Sequence, residues 1–440
     1  MSRDFHSPGR SAVFACNGMA ATSHPLASQV AIDILKAGGT AADAAVAAAA
    51  TLAVVEPHMT GIGGDCFCLV AKPGEPIWGY NGSGRAATAA RADMLWDRGV
   101  RVIGLDSPHS ITVPGAIEAW WAMLWSHGRF SLDRVLAPAI HYAENGFPVA
   151  PRVAYDWTFA EQALRADPGA SRHFLVNGRA PAAGDVMRFP ALAATLKSIA
   201  ARGPDAFYQE VAAEIVETLA PRGSWLTRED FANHRGEEVI PVSSDYRGLD
   251  VVELPPNSQG LTALVLLNIL ENFDLASLDP HGPDRLHIAL EAARLAFAVR
   301  NAHVADPAFM RISVSSLLDK GFARGLADRI DRSRRVNLPA SPTPGGDTVY
   351  LTVVDRDRMA VSLINSLFSE FGSRIATEKT GIMLHNRGAG FVVDPSHPNA
   401  IGPSKRPMHT IIPALGIRDG RCELAFGVMG MHYQPMGHTH

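Results

Sequence analysis

A chain of 440 residues with 47% hydrophobic and 19% charged side chains can bury a large core, which excludes a disordered chain, a coiled coil and a collagen-like repeat. Its 40 Lys+Arg against 44 Asp+Glu leave a net charge of −4, with neither a basic excess for nucleic acid nor an acidic solvating tail. The first residues hold no apolar core for a signal peptide, and no apolar run reaches the roughly 18 residues of a membrane span, so no membrane contact is expected. Four cysteines, Cys16, Cys66, Cys68 and Cys422, include a C-x-C too close for an easy disulfide and unlike a zinc spacing. They read as buried free thiols, which suits a reducing compartment and gives a cytoplasmic expectation.

In chain order, residues 25–57 read as two helices. Pro25 suits a first helical turn, and Gly38-Gly39 end that helix because glycine accepts the left-handed cap. Thr40 is the expected N-cap of the second, over 41–54, with Asp43 as its acidic partner in the first turn. That second helix is nearly all small side chains and can approach a neighbour closely. Thr60-Gly61-Ile62-Gly63-Gly64-Asp65 is a glycine-rich turn before the strand-like Cys66-Phe67-Cys68-Leu69-Val70; it has neither the dinucleotide nor the P-loop spacing. Asn81-Gly82-Ser83-Gly84 reads as a turn, and not as the elbow of a serine hydrolase.

Residues 106–330 alternate helical patterns with loops. Amphipathic helices are predicted over 132–144, 190–201, 211–219, 261–270 and 283–303, and a strand over 250–254 before Pro255-Pro256. The stretch 338–346, with three prolines and two glycines, is a loop or linker. Two strands follow, 348–355 and 359–364, as a hairpin around Arg356-Asp357-Arg358. Later strand candidates are Ile411-Ile412 with its neighbours and 422–427, the latter after the charged turn Arg418-Asp419-Gly420-Arg421.

There is no H-E-x-x-H and no C-x-x-C among the 17 histidines and four cysteines, so no metal and no organic cofactor is expected. His432, His438 and His440 are read as a frayed chain end, not as ligands. The sharper signal is a loop ending at Gly346-Asp347, with Thr348 opening a strand. A threonine hydroxyl is a poor nucleophile without a base beside it. Its own α-amine, once released from the peptide bond, can be that base, with an ordinary pKa near 8.

Gly346-Asp347-Thr348 with Val353-Val354-Asp355 resembles the autocleavage segment of γ-glutamyltranspeptidases, which are N-terminal-nucleophile (Ntn) hydrolases. The resemblance runs over nearly the whole chain. It includes Ala37-Gly38-Gly39-Thr40-Ala41-Ala42-Asp43-Ala44, Thr60 to Asp65, Val113-Pro114-Gly115 and Asp245-Tyr246-Arg247-Gly248. It continues through Pro255-Pro256-Asn257-Ser258-Gln259-Gly260 and Lys405-Arg406-Pro407-Met408. It implies an α+β fold, the Ntn-hydrolase αββα sandwich, made as one intertwined unit from a large segment 1–347 and a small segment 348–440. The two fragments would stay associated after cleavage between Asp347 and Thr348. The small segment is shorter than the family's, so the C-terminal part of the sandwich is expected to be incomplete.

By the same resemblance Thr348 is the nucleophile, Ser366 is the family's second hydroxyl, and the oxyanion hole falls on Gly430 and Met431. Met431 stands where the family has a second glycine, and its Cβ narrows the backbone conformations open there. The family's γ-glutamyl clamp is poorly matched. Its arginine position falls on Ser83, with Arg85 two residues later. Its asparagine contact falls on Phe368, its acidic contact on Gly390, and its paired serines on His409 and Thr410. Arg85, Arg387 and Arg406 are candidates to hold a carboxylate bidentately, although each also reads as a surface or ion-pair residue. The reading is an autoprocessing amidohydrolase or acylase, in the acylase/amidohydrolase branch, acting on a small amide with an anionic acyl part. The alternatives are a true γ-glutamyltransferase and an uncleaved, non-catalytic binding protein.

Overall fold

The computed structural model describes residues 12–338 and 348–440; Asp347 and most of the proline-rich stretch lie outside the described residues. The strands in chain order are β1 (Gly18–Ala21), β2 (Asp65–Ala71), β3 (Trp78–Gly82), β4 (Phe147–Pro148), β5 (Val186–Met187) and β6 (Glu237–Val239). They continue as β7 (Val242–Tyr246), β8 (Leu249–Glu253), β9 (Val349–Asp355), β10 (Ala360–Ser366), β11 (Ala414–Arg418) and β12 (Arg421–Phe426). One antiparallel sheet has the order β1-β9-β10-β2-β3-β6, and a second has the order β12-β11-β8-β7. Both sheets mix strands from before residue 338 and after residue 348, so neither segment owns a sheet.

Side-chain alternation stacks the layers. On β9, Val349, Leu351 and Val353 point to the helices, whereas Tyr350 and Val354 point to the second sheet. Phe67, Leu69 and Ile364 of the first sheet meet Val252 and Leu415 of the second in an apolar layer that Leu254 and Ile411, just outside its strands, complete. Helix Ala41–Val55 packs on the outer face of the first sheet, and helix Gly260–Leu270 on that of the second. The result is the expected αββα sandwich.

The alanine helix is buried along its whole length. With side chains of one carbon it can lie close to both its neighbouring helices and the sheet. Its start is a capping box: Asp43 N–H donates to Thr40 Oγ1 at 3.2 Å, and Thr40 N–H donates to Asp43 Oδ2 at 2.8 Å. The Ala41 N–H donates to Asp355 Oδ2 at 3.0 Å, which ties the helix to the end of β9.

Several expectations are corrected. Asn81 and Gly82 are not a turn but the end of β3, because Cys66 and Phe67 offer them ladder partners. Ile411 and Ile412 form no strand; both are buried, Ile411 in the inter-sheet layer, and β11 starts at Ala414. Helices Ala116–His127 and Pro151–Ala166 were not singled out. Of the cysteines, Cys66 and Cys68 are buried, Cys16 is exposed and Cys422 is half-buried, all unpaired.

Candidate active site

The β9–β10 hairpin fixes the first pair of residues. Its register places Asn365 against Val349, so the next pair outward is Ser366 against Thr348. Both are buried, and Thr348 Oγ1 lies 3.1 Å from Ser366 Oγ. The spacing of eighteen residues is thus that of an antiparallel hairpin turning at Arg356-Asp357-Arg358. On the other side of β10, Ser366 stands opposite Asp65 of β2. Thr348, Ser366 and Asp65 therefore form one row across three strand ends. On each strand their parity matches the residues facing the second sheet.

Ser366 Oγ accepts the Phe368 N–H at 2.9 Å. Phe368 holds φ 82°, a left-handed conformation unusual for an aromatic residue, directly after the strand. Its ring lies under the Arg387 guanidinium, 4.1 Å from the centroid to Cζ. Arg387 is buried; it donates to Thr410 Oγ1 at 2.7 Å and reaches Ser366 Oγ at 3.4 Å. Its Nε has no hydrogen-bond partner among the described residues. Burial pulls this guanidinium down to about 9, against the opposing charge of Asp65. A buried cation held mainly by hydroxyls and a ring face is electrostatically under-compensated.

Asp65 supplies the nearest countercharge. Its Oδ1 accepts the N–H groups of Gly84 and Gly115, each at 3.1 Å. Its Oδ2 lies 3.1 Å from His409 Nε2 and 3.5 Å from His385 Nδ1. Burial pushes the Asp65 carboxyl up, but His385, His409 and Arg387 outweigh it and hold the group below the usual carboxylate range. Burial, then the Arg387 charge, brings His409 down to about 3. His409 also packs on Phe67, with ring centroids 4.5 Å apart.

The segment carrying Gly430 and Met431 closes this region. Gly430 has φ 118° and Met431 φ 49°, and Met431 is fully buried. The Cβ of Met431 does not exclude the left-handed backbone, which the surrounding packing enforces at a cost of about 1–3 kcal/mol. Gln259 Nε2 donates to the Met431 carbonyl at 2.8 Å and to the Thr410 carbonyl at 2.7 Å. The edge of the next ring, His432, meets Phe368.

The expected residues therefore divide. Thr348, Ser366, Phe368, Arg387 and Thr410 converge, and His409 supports them through Asp65. Gly390 ends a short helical turn that begins at Arg387, and its carbonyl accepts Asn399 Nδ2 at 2.7 Å; it buttresses the loop. Two of the three arginines lie apart from this cluster, in the ion-pair alternative. Arg85 spends its guanidinium on Asp306 at 3.4 Å, the Ser404 carbonyl at 3.1 Å and Glu237 at 3.9 Å, and touches none of the cluster. Arg406 is tied to Glu237 and to the carbonyls of Ser83 and Arg235. Both had ion-pair partners far along the chain that no local pattern reveals. His438 pairs with Glu253, and His432 accepts from Arg300.

Asp65 and Gln259 were not picked out as site residues. The available signals were a carboxylate opening an otherwise apolar strand, and a glutamine immediately before an apolar helix. The blocks 255–260 and 405–410 do meet: Asn257 Nδ2 donates to the Pro407 carbonyl at 2.7 Å, and the Gln259 N–H to the His409 carbonyl at 2.8 Å.

The sequence profile described as gamma-glutamyltranspeptidase matches residues 27–440. The chain is 42% identical over 425 residues to the glutathione hydrolase-like YwrD proenzyme of Bacillus subtilis (strain 168), covering 96% of this chain and 80% of that protein. It is 39% identical over 436 residues to the oxamate amidohydrolase proenzyme of Klebsiella pneumoniae, covering 95% of this chain and 80% of that one. It matches a crystal structure of cephalosporin acylase from Bacillus halodurans with a TM-score of 0.91 and 40% identity, over 100% of this chain and 82% of the other. With its αββα layers and a threonine at the mouth of the central hairpin, the chain belongs to the γ-glutamyltranspeptidase family of Ntn hydrolases, and is an enzyme of its amidohydrolase and acylase kind.

Proposed function

We propose that Thr348 is the nucleophile of an autoprocessing amidohydrolase whose substrate is a small amide with a carboxylate on its acyl part. The observation that carries this reading is the Thr348–Ser366 hydroxyl contact beside the buried Arg387 guanidinium.

In self-cleavage, Thr348 Oγ attacks the Asp347 carbonyl. The Asp347–Thr348 C–N bond breaks as the acyl group moves to Oγ. Water then hydrolyses that ester, leaving an Asp347 carboxylate and a Thr348 α-amine. The chain becomes segments 1–347 and 348–440, which stay together because both sheets draw strands from each. In turnover the α-amine takes the Thr348 hydroxyl proton as Oγ attacks the amide carbon, and passes it to the leaving amine. Water, activated by the same amine, cleaves the acyl ester. Backbone N–H groups at Gly430 and Met431 stabilise the oxyanion, and Ser366 orients Thr348.

Arg387, with Thr410 beside it, receives the acyl carboxylate. A bound carboxylate satisfies a cation that the protein itself leaves under-compensated. Oxamate, the substrate named for one relative, has this chemistry: an amide joined directly to a carboxylate. A γ-glutamyl substrate fits less well. Its ammonium would meet no acid at Gly390, and Phe368 offers no side-chain hydrogen bond. The deciding experiment measures hydrolysis of oxamate, glutaryl-p-nitroanilide and γ-glutamyl-p-nitroanilide side by side. Exclusive turnover of the γ-glutamyl compound would reverse the preference.

A further inference from the structure

The amide of Gln259 joins the two backbone segments that border the reacting hydroxyls. Its single Nε2 carries two hydrogens, and both are used: one on the Thr410 carbonyl, one on the Met431 carbonyl. Thr410 bears the hydroxyl that receives Arg387, and Met431 belongs to the pair that would hold the oxyanion. The side chain is wholly buried at the start of helix Gly260–Leu270, the apolar anchor of the second sheet.

The orientation of this amide is fixed from behind. Arg300 Nη1 donates to Gln259 Oε1 at 2.6 Å and contacts His432 Nδ1 at 2.9 Å. Arg300 Nε and Nη2 both donate to Asn301 Oδ1, at 3.0 and 2.8 Å. Flipping the Gln259 amide would turn an NH₂ toward the guanidinium and an oxygen toward two carbonyl oxygens. Arg300 makes that state unfavourable at both ends. The guanidinium thus sets the amide, and the amide sets two carbonyls.

We propose that Gln259 is a positioning residue for acylation, holding the Met431 backbone in its left-handed conformation from an amide anchored on the Thr410 carbonyl. The assignment rests on the reading of Thr348 as nucleophile. An oxyanion donor acts only if it points to where charge develops; the held Met431 carbonyl and the Met431 N–H lie on either side of one Cα, so a change in the Met431 torsions turns the donor and weakens the transition state more than the bound substrate.

The test uses the full chain with Gln259→Glu and Gln259→Leu. Glutamate keeps the size and gives Arg300 an ion-pair partner, but presents an acceptor to both carbonyls. Leucine removes the polar group. Expected for both is a kcat on oxamate lower by about 100-fold, with KM changed by less than about threefold, in proteins that melt cooperatively. Glutaryl-p-nitroanilide in stopped flow should locate the loss in the release of p-nitroaniline, the acylation step. Should Gln259→Leu fail to fold, Gln259→Glu decides alone. An active parent enzyme whose Gln259→Glu form keeps its kcat, or loses only KM, overturns the role of Gln259. A parent enzyme that cleaves neither amide overturns the underlying reading of the site as well.

Discussion

Thr348 and Ser366 face one another across the β9–β10 pair with their hydroxyl oxygens 3.1 Å apart, one register step beyond the last ladder pair, Asn365 with Val349. The contact follows the register of the hairpin. It also places Ser366 between the nucleophile and the Asp65–Arg387 charges.

Replacing Thr348 by alanine should leave one uncleaved chain with no amidase activity. Thr348→Ser should still yield two fragments, the smaller beginning at residue 348. Intact mass and N-terminal sequencing check this. A two-fragment Thr348→Ala protein would remove the proposed nucleophile. Ser366→Ala should slow turnover by at least about tenfold, since orientation of the attacking group is lost while the nucleophile remains.

Arg387→Met should raise KM for oxamate by about 10- to 100-fold, the range for removing a charged hydrogen-bond partner. Arg85→Met should leave KM within about twofold, because the Arg85 guanidinium is spent on Asp306, Glu237 and the Ser404 carbonyl. Steady-state kinetics on the two variants compare them directly. Equal effects would return Arg85 to the substrate site.

Acid should destabilise the fold before the carboxylates titrate. Burial is the main cause that brings His58 down to about 4, and His234, His409 and His432 down to about 3, from an ordinary 6.5. Below pH 6.5 the unfolded chain therefore takes up protons that the folded one refuses, and stability falls as pH drops toward those folded values. Glu56, raised by burial to about 7, acts in the opposite sense over pH 7 to 4.5 but is outnumbered. The urea midpoint should decline steadily from pH 7 to pH 4.5; a flat profile would contradict the buried neutral histidines. Asp65, held below its ordinary value, adds stability present above about pH 4 and lost as pH falls further.

Enlarging the alanine helix should cost stability without touching the chemistry. Ala49 is fully buried in the core, and Ala49→Leu should destabilise by about 1–3 kcal/mol through overpacking. Denaturant unfolding measures the loss, and a neutral result would mean that the core has unfilled space around Ala49.

Much of the architecture was legible because its causes are local. Thr40 and Asp43 cap their own helix, Pro283 opens the helix ending at His303, and Arg356-Asp357-Arg358 turns the hairpin. The strand at Ile411-Ile412 failed for a related reason. An apolar pair records burial, not ladder pairing, and these two are buried without a partner strand.

The sequence by itself determined the hairpin that turns at Arg356-Asp357-Arg358, and the family resemblance pointed to Ser366, which the hairpin register then sets against Thr348. It could not tell Arg387 from Arg85 or Arg406, nor single out Asp65 and Gln259. Whether an arginine is a ligand or a tie depends on acids and carbonyls hundreds of residues away along the chain. Only packing the two sheets brought Asp65, Thr410 and Met431 to the region of the hydroxyl pair and buried the Arg387 guanidinium beside them.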